Sequence, residues 1–103
     1  MARPYSQKFL LDLYNSKSDG LGVELGRLCV KANLPAVYVA IACETTRTTV
    51  YSWFRGQGIR EGKHKLVKAF ITLVEGDLAN GVLPAKNVLH AKQYVESMLG
   101  IKL

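Results

Sequence analysis

The sequence predicts an all-α domain, a compact bundle of five or six helices, and three observations carry that prediction. Apolar residues recur at intervals of three and four almost throughout the 103 residues. Helix-breaking stretches (SKSDG at 16–20, NLP at 33–35, GQG at 56–58, GVLP at 81–84) divide the chain into pieces of helical length. The one stretch that alternates like a strand, Val37-Tyr38-Val39-Ala40-Ile41, comes just after Pro35 and is better placed as the helix that Pro35 opens. A chain of this length is expected to form one domain with a core of its own.

The elements follow in order. Pro4 to Ser16 is expected as a first helix, with Phe9, Leu10, Leu13 and Tyr14 on its apolar side and Pro4 in its first turn. Leu21 to Ala32 comes next, with Leu21, Leu25, Leu28 and Cys29 on one stripe and Asn33-Leu34-Pro35 closing it. Pro35 opens a helix that runs to about Cys43, and Thr46 to Phe54 forms another after a short link. A longer helix is expected from Glu61 to about Asn80, its apolar side made of Leu66, Val67, Phe70, Ile71, Leu73, Val74 and Leu78. Gly76 inside it costs about 1 kcal/mol relative to alanine, which allows for a kink or an early end there. Ala85 to Leu99 is the last amphipathic helix, ended by Gly100.

Composition excludes several classes. Cys29 and Cys43 are too few and too far apart for a disulfide framework or a zinc ribbon, and both lie in apolar stretches that suit small core residues. Met1-Ala2-Arg3-Pro4-Tyr5 holds no apolar run of the signal-peptide kind. The longest apolar segment, Leu34 to Cys43, is half of the roughly 20 residues that a membrane span needs. A cytoplasmic protein with reduced thiols and no membrane partner is the expectation.

Charge carries the first functional signal. Of the formal net charge of +6, nearly all lies between Arg47 and Lys68, where Arg47, Arg55, Arg60, Lys63, Lys65 and Lys68 face a single acid, Glu61. The rest of the chain is almost balanced, with eight basic and seven acidic residues. Such a patch suits a polyanion, because each neutralised phosphate releases counterions. The plainer reading of the same residues is a solvated face.

The stretch Ala36 to Gly56, AVYVAIACETTRTTVYSWFRG, carries a pattern in which Ala40, Val50 and Trp53 stand at the spacing A-x9-V-x2-W. Two short helices crossing steeply need a small residue where they approach, and Ala40 supplies one. Val50 and Trp53, three apart, share the inward face of the second helix, and Thr46 is placed to cap it, worth about 1 kcal/mol. With those two inward, a turn of about 100° per residue puts Arg47, Thr48, Tyr51, Ser52 and Arg55 on the opposite face. That face has hydrogen-bonding groups and no carboxylate, a composition suited to base edges in a major groove.

This stretch resembles the helix-turn-helix of bacterial and bacteriophage transcription regulators, the Cro/repressor type and relatives such as the phage CII activators. The resemblance covers about 21 residues strongly and the flanking helices only in pattern. It implies a sequence-specific regulator of double-stranded DNA, a repressor or an activator, whose second helix lies in the major groove. By the same likeness Arg47, Thr48, Thr49, Tyr51 and Ser52 are the expected base readers, and Arg55, Arg60, Lys63 and His64 expected phosphate contacts. Lys65 and Lys68, outside that helix, are expected to meet only phosphate. The sequence departs from the family twice. Glu44 stands at the turn position usually held by glycine, so the turn is either shaped differently or carries a strained residue. Ala36 stands where a glutamine is common, which removes one backbone clamp.

Regulators of this kind pair on half-sites about one helical turn apart, so a homodimer is expected. The last helix offers Val88, Ala91, Val95 and Met98 at near-heptad spacing, with Leu99 beside them. The alternative is that this stripe packs on the domain's own core. No H-E-x-x-H, C-x-x-C or G-x-S-x-G is present, and Gly56-x-Gly58-x-x-x-Gly62 has the wrong spacing for a phosphate-cradling loop. His64 and His90 are isolated. No enzymatic activity, cofactor, metal or small-molecule ligand is therefore expected. Two other readings fit the same residues: a DNA-packaging or replication accessory protein, and an inhibitor that keeps the fold but binds a protein.

Overall fold

A computed structural model describes Tyr5, Lys8 and residues 20–103. The expected first helix, Pro4 to Ser16, falls almost wholly outside the described residues. Among the described residues the fold is five helices and no strand: α1 (Leu21–Ala32), α2 (Ala36–Ala42), α3 (Arg47–Phe54), α4 (Glu61–Ala79) and α5 (Val88–Leu99). The segment Val37–Ile41 is helical, within the helix that has Pro35 as its N-cap. α4 continues through Gly76 to Ala79 with neither early end nor interruption.

Each of the five described helices closes on a residue with left-handed backbone, and the sequence supplies the right residue at four of these ends. Asn33 (φ 58°), Gly56 (φ 99°), Gly81 (φ 79°) and Gly100 (φ 68°) follow α1, α3, α4 and α5. After α1 the Asn33 and Leu34 amides donate to the carbonyls of Val30 (3.1 Å) and Cys29 (2.9 Å), the paired bonds that satisfy the last carbonyls of a helix. Glycine and asparagine tolerate this conformation at little cost. α2 ends the same way on Glu44 (φ 55°), which does not.

α3 packs against α1 and α2, α4 packs against α1, and α5 packs against α2. The core between them holds Leu25 and Cys29 of α1, Val39 of α2, Val50 and Phe54 of α3, Val67 and Val74 of α4 and Val95 of α5, all fully or almost fully buried. Burying a side chain of this kind stabilises by about 1.5–3 kcal/mol. Tyr5 is buried with them, donating its hydroxyl to the Leu34 carbonyl at 2.6 Å. The loop before α5 is tied to the end of α1: the Ala85 amide donates to the Ala32 carbonyl (2.9 Å), and Asn33 Nδ2 donates to the Ala85 carbonyl (2.7 Å).

The structure departs from three expectations. The last helix starts at Val88 and not at Ala85, because Ala85 is spent on the tie to α1 and Asn87 caps α5, accepting from the His90 amide at 2.8 Å. Its apolar stripe serves the chain's own core: Ala91 and Val95 are fully buried, and Met98 and Leu99 are half-buried against the core. Of the stripe expected at a dimer interface, only Val88 stands well exposed, at 51%. On α4, Leu73 of the expected apolar side is also exposed.

The buried acids make stability fall at alkaline pH. Burial pushes the Cys29 thiol and the Tyr5 hydroxyl well up; it lifts Cys43 to about 11, with the Lys63 ammonium opposing. Burial raises Tyr94 as well, helped by its hydrogen bond to Asp77. The folded state therefore holds these protons more tightly than the unfolded chain, whose thiols and phenols release theirs near the ordinary 9.0 and 10.0. Their stabilisation is complete below about pH 9 and is lost as pH rises toward and past 11. Urea unfolding at about pH 10.5 is expected to show a lower midpoint than at about pH 8. Equal midpoints would mean that these groups titrate freely in the folded protein.

Candidate nucleic-acid interface

The candidate interface is built on α3 and on the start of α4. Thr46 caps α3: its Oγ1 accepts from the Thr49 amide at 3.2 Å and donates to Thr49 Oγ1 at 2.9 Å. One side of the helix is anchored, with Val50 fully buried, Phe54 almost so and Trp53 nearly covered. The other side presents Arg47, Thr48 and Arg55 to solvent, with Thr49 and Ser52 half-buried. Ser52 donates its hydroxyl to the Thr48 carbonyl at 3.2 Å, leaving its oxygen as an acceptor.

Tyr51 is placed differently from the expectation. It lies only about 60° around the helix from Phe54, three residues on, and its half-buried ring packs with that neighbour. The Tyr51, Phe54 and Tyr5 rings form a mutual cluster with centroids 6.1–6.2 Å apart. Such edge and tilted contacts contribute about 0.5–1.5 kcal/mol each. Its ring therefore belongs to the packing flank of α3, not to the outward face.

The basic residues divide into two groups. Arg55, Arg60, Lys65 and Lys68 are exposed. Lys63 and His64 are half-buried and engaged within the chain. His64 Nε2 stands 2.7 Å from the Ile59 carbonyl; since a carbonyl only accepts, that nitrogen carries the proton. Lys63 Nζ donates to the carbonyls of Glu44 (2.8 Å) and Cys43 (3.3 Å), the residues that join α2 to α3. A polar groove of about 430 Å³ lies beside them, lined by Thr45, Thr49, Ser52, Gln57, Arg60 and Lys63 among others.

The link between α2 and α3 is four residues, Cys43 to Thr46. The Glu44 amide donates to the Ile41 carbonyl (3.2 Å) and the Thr45 amide to the Ala40 carbonyl (2.9 Å), so the turn has the paired-bond form that glycine usually serves. A glutamate there carries left-handed backbone at a cost of about 1–2 kcal/mol. Of the two possibilities that Glu44 left open, the strained residue is the one realised.

Sequence reasoning missed the residue that sets how close α3 lies to α1. Gly22 is buried against the backbone of Trp53, so close that an alanine Cβ there would stand 2.2 Å from the Trp53 carbonyl oxygen. The spacing of glycines in α1 holds no sign of this, because the partner is 31 residues away. Among the described residues no group of three or more histidine, cysteine, aspartate or glutamate side chains is placed to hold a metal ion, and no helix is long and apolar enough to cross a membrane. No protein family, curated protein or solved structure matches the chain.

Proposed function

We propose that this chain is a sequence-specific regulator of transcription that binds double-stranded DNA by laying α3 in the major groove, with α2, the four-residue link and α3 acting as a helix-turn-helix. One observation carries the reading. The capped first turn of α3 offers Arg47 and Thr48 to solvent on an acid-free face while Val50, Trp53 and Phe54 fix its back to the core. A helix with its side chains is about 10–12 Å across, close to the roughly 12 Å width of the groove. Arg55, Arg60, Lys65 and Lys68, exposed around and beyond the end of that helix, supply contacts to phosphate on this reading. Thr49 and Ser52 read at the margin of the helix, and binding on this reading calls on no cofactor. Pairing of two copies on half-sites belongs to the same reading, and Val88, with the neighbouring Leu89 exposed at 61%, is what α5 leaves for it.

Selection of bound duplexes from a random pool at fixed salt tests the reading. Enrichment of a defined sequence is expected, two-fold symmetric if copies pair, with affinity falling steeply as salt rises. Recovery of unselected DNA alone would reduce the protein to a non-specific polyanion binder, and no recovery would end the proposal.

A further inference from the structure

We infer that Lys63 is a positioning residue for α3: its ammonium holds the Cys43–Glu44 turn in the strained form that sets the angle of the reading helix. The inference rests on the reading of α3 as a DNA-reading helix. Among the described residues four helix ends use asparagine or glycine for the left-handed residue, and the end that uses glutamate is held by the Lys63 ammonium. The bond to the Glu44 carbonyl is the shorter of the two, 2.8 Å against 3.3 Å to Cys43, so the strongest restraint falls on the strained residue itself. An ammonium is well suited to this work, since two of its three donors can hold two adjacent carbonyls while the third stays available to solvent. Lys63 sits in the first turn of α4, 19 residues from Glu44, so the clamp also fixes the start of the basic helix against the turn. Two residues further on, Lys65 is exposed and makes no such bond in the described structure, which makes it the matched control for loss of charge.

The experiment compares Lys63→Met, Lys65→Met, Glu44→Gly and the double variant Glu44→Gly/Lys63→Met. Each is measured for affinity toward a selected duplex and a random duplex, and for hydrogen exchange of the Glu44 and Thr45 amides without DNA. Lys63→Met is expected to lose about tenfold on the selected duplex and clearly less on the random one, with both amides exchanging about tenfold faster. Lys65→Met is expected to weaken both duplexes alike and leave the exchange unchanged. In the Glu44→Gly background, where glycine accepts the left-handed backbone unaided, adding Lys63→Met is expected to change selectivity and exchange by no more than about twofold. If Lys63→Met matches Lys65→Met in both readouts, Lys63 is an ordinary phosphate contact and the inference is overturned. An undiminished Lys63→Met effect in the Glu44→Gly background overturns it too, since the turn's strain is then not what the lysine holds. Should no duplex bind at all, the DNA-binding reading fails, and the two exchange comparisons alone decide whether the clamp exists.

Discussion

Replacing Gly22 by alanine is expected to destabilise the protein by about 3 kcal/mol and to lower its melting temperature by about 10 °C or more. The added methyl would stand 2.2 Å from the Trp53 carbonyl oxygen and 2.7 Å from its carbonyl carbon. Both are backbone atoms, so no side-chain rotation relieves the overlap, and the two helices have to separate. Separation opens the layer that Leu25 and Cys29 form with Val50 and Phe54, which is why the cost is placed at the upper end of what overpacking brings. Gly76→Ala is the control that separates this clash from glycine chemistry in general. Gly76 is exposed within α4 and an added Cβ meets nothing within 4 Å, so alanine there is expected to stabilise by about 0.5–1 kcal/mol. Thermal melts followed by circular dichroism read both. A Gly22→Ala protein that melts with the wild type would show that α1 and α3 do not meet at this point.

The elements of the fold were largely legible because the signals for them are local. Pro35, Asn33, Gly56, Gly81 and Gly100 act on their own backbone, and each marks a helix start or end within a residue or two of where it falls. Apolar periodicity likewise placed Val50 and Trp53 inward and Arg47 and Thr48 outward on α3. What could not be read was which element uses a given face. The α5 stripe looks the same whether it meets a second copy or α2, and only the packing shows Ala91 and Val95 covered from within the chain. Tyr51 turned toward packing because Tyr5, 46 residues before it, supplies a ring to meet. Lys63 carries the same charge as Lys65 and reads identically in composition; its two carbonyl partners, 19 and 20 residues away, are visible only in the fold. Glu44 is the intermediate case, since the sequence showed that a glycine was missing, while the structure shows that the backbone kept the glycine's conformation.

Arg47→Ala is expected to cost about 1–3 kcal/mol on the selected duplex and little on random DNA. The arginine is the first residue of α3, directly after the Thr46 cap, and it is exposed. From that position a long side chain can reach the floor of a groove that holds the helix, where its planar fork matches the two acceptors of guanine. A random duplex presents the same phosphates but no preferred base at that depth, so the loss there is limited to one cation. Lys65→Ala provides the opposite pattern: both duplexes weaken alike and the slope of log affinity against log salt flattens by about one unit. The pair of results separates base reading from charge within one protein, since each variant removes a single positive group from an exposed position. If Arg47→Ala keeps the wild-type ratio of selected to random binding, α3 does not read bases through its first turn, whatever the protein's affinity for DNA.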